Sequence, residues 1–106
     1  MNIYGVDTDK PVVPSVVRDA IVNCFIQAHI EDAKKAGIEE SGMARLFCED
    51  KVREAFNQTG GNFDNPTKDS LKYAINYLAT FSSIFRDKSI IEKHKNDINQ
   101  LINLIS

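Results

Sequence analysis

The chain has 106 residues, 42% hydrophobic and 26% charged, with a formal net charge of −2. That balance belongs to a globular protein with a single core and excludes a disordered chain. A mildly acidic chain, with a pI near 5.6, lacks the broad basic footprint of a nucleic-acid binder. No apolar run approaches the length of a membrane span, and the size leaves no room for a large internal ligand cavity beside the core.

The first residues, MNIYGVDTDK, contain no charged segment followed by an apolar one, so no signal peptide is expected. Two cysteines in such a chain read as reduced thiols and point to the cytoplasm. The glycosylation sequon Asn57-Gln58-Thr59 then carries no meaning.

Residues 1–13 are expected to form a short extended arm, with Ile3, Tyr4 and Val6 available to lie against the remainder. Val13-Pro14 disfavours helix at Val13, so the first helix starts at Pro14 or Ser15 and ends at Gly37. Val17, Ala20, Ile21, Cys24, Phe25 and Ala28 form its inner stripe. Lys34 and Lys35 fall in its last turn, where positive charge is favourable.

A second helix is expected from Glu39 or Ser41 to Gln58, with Gly42 weakening its start and Gly60-Gly61 stopping it. Its inner face is Met43, Ala44, Phe47, Cys48, Val52, Ala55 and Phe56. The third, Thr67 to Arg86, has the strongest apolar pattern. Leu71, Ala74, Ile75, Leu78, Ser82 and Phe85 recur at spacings of three and four, beside a second row of Tyr73, Tyr77, Phe81 and Ile84. Pro66 is expected in its first turn, capped by Asn65 or Thr67. Ser89 to Glu92 matches a capping box and opens the fourth helix, whose seam is Ile91, His94, Ile98, Leu101, Ile102 and Ile105. The short connection before it makes the last two helices antiparallel neighbours. The expected architecture is all-α: a compact bundle of about four helices over residues 14–106, in one domain with the extended arm.

The chemistry-bearing inventory is thin. Cys24, His29, Cys48 and His94 include every nitrogen or sulfur ligand of the zinc type. Cys24 and His29 diverge by about 140° at about 100° per residue, and Cys48 has no ligand near it in sequence. Core thiols are the expected reading, with no metal and no cofactor. His94 is the most unusual residue, because it interrupts an isoleucine seam; a histidine there can act as an acid, a base or a pH-sensitive contact. Asp7 and Asp9 read as a solvated turn before Pro11, and Gly60-Gly61 lacks the spacing and lysine of a phosphate loop.

The function expected is therefore a non-enzymatic interaction or accessory protein that self-associates or binds a protein partner. Val16, Val22, Ile26, Ile30, Ile90 and Leu104 lie outside the tidy stripes and are the candidate interface. Two alternatives remain: a nucleic-acid-associated protein using the basic stretch Lys68 to Lys95, clustered at Arg86, Lys88, Lys93 and Lys95, and a small enzyme or ligand binder using His94.

Overall fold

The computed structural model describes residues 2–38, 44–81 and 88–105, apart from the side chains of residues 44, 45 and 81. The all-α expectation holds. Four helices follow a small N-terminal hairpin: β1 (Asn2–Ile3), β2 (Val6–Asp7), α1 (Pro14–Lys35), α2 (Ala44–Gln58), α3 (Lys68–Phe81) and α4 (Lys88–Asn103). Each helix packs on the next, α4 closes the ring against α1, and α1 also meets α3 across the middle.

The arm is not simply extended. Asn2 pairs with Asp7 and Ile3 with Val6 in antiparallel register, around a two-residue turn of Tyr4 and Gly5. Both turn residues have positive φ, 51° and 85°, as a type I′ turn requires. Glycine adopts this region freely. For Tyr4 it costs about 1–2 kcal/mol. A hairpin this short has no stability of its own, so its contacts with the helices must hold it. Val6 is buried, and Ile3 and Tyr4 pack against the core. The Asp7 carboxylate accepts from the Asp9 amide at 3.0 Å, which makes the exposed turn expected before Pro11.

Val13 is extended (φ −113°, ψ 155°) ahead of Pro14, which occupies the first turn of α1. At the other end the Gly37 amide donates to the Lys34 carbonyl at 3.0 Å and the Ile38 amide to the Ala33 carbonyl at 2.9 Å, a Schellman ending. The end of α2 repeats it: the Gly61 amide donates to the Phe56 carbonyl at 2.8 Å, and Gly60 takes φ 80°. Gly61 is needed for space, since a Cβ there would lie 3.0 Å from the Ser70 Cβ and 3.2 Å from the Phe56 ring.

Thr67 caps α3, its hydroxyl accepting from the Ser70 amide at 3.1 Å while the Ser70 hydroxyl accepts from the Thr67 amide at 2.7 Å. Pro66 therefore lies just before the helix, not in its first turn. Helix α4 is already helical at Lys88, so Ser89 sits inside the helix and not at its cap. The expected start of α2 at Glu39 or Ser41, with Gly42 and Met43, and the expected end of α3 from Ser82 to Arg86, lie outside the described residues.

The stripes read from the sequence form one apolar cluster. Val17, Ile21, Phe25, Val52, Phe56, Leu71, Ile75, Ile91, Ile98, Leu101 and Ile102 are all essentially inaccessible. Among the described residues two expected members are not in it. Tyr73 is 59% exposed, because it lies about 200° around α3 from Leu71. Phe47 is 40% exposed; it lies on the rim, 6.1 Å from the His29 ring and with the Lys51 ammonium 5.7 Å above its face.

An isolated parallel bridge from Val12 to Ile105 joins the start of α1 to the end of α4. These two helices are thus antiparallel. Lys68, at the start of α3, donates to the Ile105 carbonyl at 3.1 Å, so α3 and α4 are antiparallel as well.

Candidate functional site

Where the hairpin lies on the α1–α4 seam, three elements of the fold bring titratable side chains together. His94 keeps its place in the isoleucine seam of α4 and is 5% exposed. Its surroundings are nonetheless polar. Nε2 is 3.1 Å from the Glu31 carboxylate of α1. Nδ1 faces the Tyr4 hydroxyl of the hairpin. That hydroxyl is also 3.2 Å from Oδ2 of Asp97, one turn along α4, and lies beside the Cys24 thiol of α1. The Tyr4 and His94 rings lie 5.6 Å apart and tilted by 53°.

Proton positions follow from the partners. The Glu31 carboxylate can only accept, so Nε2 carries a hydrogen. In the neutral ring Nδ1 is then an acceptor, and the Tyr4 hydroxyl donates to it. Burial, reinforced by the negative charge that Cys24 and Asp97 can carry, pushes the Tyr4 hydroxyl well above the usual phenol range. Burial likewise pushes the Cys24 thiol up to about 12, opposed by the polar Tyr4 hydroxyl beside it and reinforced by Asp97 and Glu31. Both groups hold their protons at neutral pH. A thiol held protonated is a poor nucleophile and a poor metal ligand. The arrangement suits sharing of protons along Glu31, His94, Tyr4 and Asp97.

A second polar assembly sits at the segment between α2 and α3. Phe63, between α2 and α3, has the Arg18 guanidinium 5.0 Å and the Arg53 guanidinium 4.1 Å from its ring centre, and the Phe56 ring edge-on at 5.7 Å. Arg18 donates to the Phe63 carbonyl at 3.0 Å. Asp19 is 3.1 Å from Arg18, and Glu49 and Asp64 are each 3.5 Å from Arg53. The adjoining cleft of about 380 Å³ thus holds two cations balanced by three carboxylates, which gives an anion no net attraction.

The remaining sequence candidates are scattered. Of the six interface residues, Val16 and Leu104 are exposed, Val22 is buried, and Ile26, Ile30 and Ile90 are half-buried, with Ile26 and Ile90 packed on the core. Of the basic residues, Arg86 lies outside the described residues. Lys68 binds the carbonyl of Ile105, whereas Lys88 binds that of Thr80 at 3.4 Å, so these two stand at opposite ends of the α3–α4 pair. Lys93 and Lys95 point about 200° apart around α4. Among the described residues no cluster of three His, Cys, Asp or Glu side chains is arranged to hold a metal ion, and no helix is long and apolar enough to cross a membrane.

Tyr4, Glu31 and Asp97 were invisible as a site in the sequence. The one local signal was the His94-x-x-Asp97 spacing, which puts both side chains on one helical face; nothing ties residue 4 to residue 94. No protein-family model matches the chain, and no curated protein or solved structure matches it.

Proposed function

We propose that this chain is a non-enzymatic interaction protein that associates with a second copy of itself through the end of the bundle where α1 begins and α4 finishes. The carrying observation is the exposure of three aliphatic side chains there: Val13 at 46%, Val16 at 38% and Leu104 at 48%. The Val12–Ile105 bridge brings the two segments together. Neither PVVPSVV (11–17) nor LINLI (101–105) contains a charged side chain, so pairing two such ends brings no like-charged side chains from these segments into contact. An uncharged apolar patch is the kind of surface that a twofold, self-complementary contact covers.

Two of the six candidate interface residues, Val16 and Leu104, belong to this patch, and Val13 joins them. Sedimentation velocity over a broad range of concentration tests the reading. Dimer is expected to grow with concentration, and the double variant Val16→Asp, Leu104→Asp is expected to stay monomeric with an unchanged helical spectrum. A wild-type chain that is monomeric throughout would sink self-association.

Nucleic-acid binding gains no support from a basic set divided between two ends of a helix pair. His94 has polar partners, as an acid–base site needs, but at 5% exposure it is closed to a substrate while the hairpin is in place.

A further inference from the structure

The Tyr4 hydroxyl has one proton and two strong acceptors within reach, Nδ1 of His94 and Oδ2 of Asp97. With His94 neutral, the proton goes to Nδ1, and half-buried Asp97 is left without it. With His94 charged, Nδ1–H donates to the Tyr4 oxygen and the Tyr4 proton is released to Asp97. Every member of the chain is then satisfied, with Glu31 facing Nε2–H. One hydrogen bond from the hydroxyl to this pair becomes two, both charge-assisted.

We propose that the N-terminal hairpin is a proton-controlled latch: charged His94 holds it shut through Tyr4, and loss of that proton lets it lift from the α1–α4 seam and uncover Cys24. Three further observations favour movement of this segment. The hairpin has two residues per strand and cannot stand alone. Tyr4 is held at φ 51° and is relieved of that strain on release. The linker from Asp9 to Pro11 is exposed, so lifting gives up the packing of Val6, Ile3 and Tyr4 but none from the linker. Among the described residues His94 meets Tyr4 from the hairpin and Glu31 from α1, and Tyr4 in turn meets Asp97 of α4 and lies beside Cys24 of α1. Helix α3 packs on α4 too, but its charged residues in the described part, Lys68, Asp69 and Lys72, sit in its first turns, at the end where α4 finishes.

The two cysteines supply the test. Both are buried, but only Cys24 lies under Tyr4; Cys48 is in α2 and reports global opening. Reaction with 4,4′-dithiodipyridine is followed for each thiol by mass spectrometry at about pH 5.5 and about pH 8, which bracket the range where histidines change charge. Each rate is divided by that of the same thiol in the denatured chain at the same pH. The ratio of Cys24 to Cys48 is expected to exceed one and to rise by about tenfold between the two pH values, the weight of one charge-assisted hydrogen bond. In Tyr4→Phe the ratio is expected to be high at both pH values. In His94→Gln, with folding checked by circular dichroism, it is expected to be flat. Equal rates for the two thiols at both pH values, or a wild-type ratio indifferent to pH, would overturn the latch. A pH response that persists in Tyr4→Phe would overturn it also, and that variant keeps its aromatic ring if His94→Gln fails to fold.

Discussion

Two segments outside the helices are tied to this bundle in opposite ways. Between α2 and α3, Phe63 is gripped by two arginines whose charges are balanced by acids at the surface. At the N-terminus, Tyr4 is held by buried or half-buried groups that gain and lose protons. The grip on Phe63 comes from apolar burial and ring faces, and no proton decides it. The grip on Tyr4 adds a few hydrogen bonds to the packing of the hairpin on the core and is paid for in backbone strain. A loop is fastened permanently in the first case and conditionally in the second.

The largest expected effect breaks the permanent fastening. Phe63→Ala removes a ring that is 8% exposed and should cost about 3–4 kcal/mol in urea denaturation. A loss under about 1 kcal/mol would show that the arginines do not depend on the ring.

Alkaline pH should separate the two regions. The Cys24 thiol ionises near 9 ordinarily but near 12 in the fold. Its protonated form is thus favoured by folding, and the associated stability is complete below pH 9. It is lost as pH rises from 9 toward 12, at up to about 1.4 kcal/mol per pH unit. Tyr4, also shifted upward, adds to the loss in the same direction at higher pH. Denaturation midpoints at successive pH values should show the slope in wild type and a smaller one in Cys24→Ala. Arg18→Ala, on the Phe63 side, should leave it unchanged.

Tyr4→Phe keeps the ring and the turn and deletes the hydroxyl. It should cost about 1–2 kcal/mol in global stability where hairpin and bundle unfold together, and an unaltered denaturation curve would mean the hydroxyl contributes nothing. Salt gives the smallest effect. The Arg53 pairs with Glu49 and Asp64 involve side chains 39–80% exposed, so raising salt to about 1 M should change stability through them by less than about 1 kcal/mol. A larger loss, removed by Arg53→Leu, would make the Phe63 region the electrostatic one after all.

The helices were legible because their signals are periodic and local. Stripes of Ile, Leu, Val and Phe at three and four, Pro14 at a helix start and glycine after two helix ends all describe neighbours in sequence. Phe47 and Tyr73 were misplaced because an aromatic side chain beside a stripe can lie on either flank, and only the neighbouring helix decides which. The hairpin was missed because strands of two residues have no period, and Tyr-Gly is a poor cousin of the Asn-Gly turn. His94 stood out as a polar interruption in an apolar seam, yet its partners were hidden. Tyr4 lies 90 positions away, Glu31 lies 63 positions away, and spacing carries no information over such intervals. Arg18 and Phe63 are 45 positions apart and were hidden for the same reason.

The 90-residue separation between Tyr4 and His94 also fixes an order of events. Tyr4 is synthesised 90 residues before its anchor, so the hairpin cannot seat until α4 has been made and docked. Damage to this contact is therefore expected to hasten unraveling while leaving the speed of assembly nearly untouched.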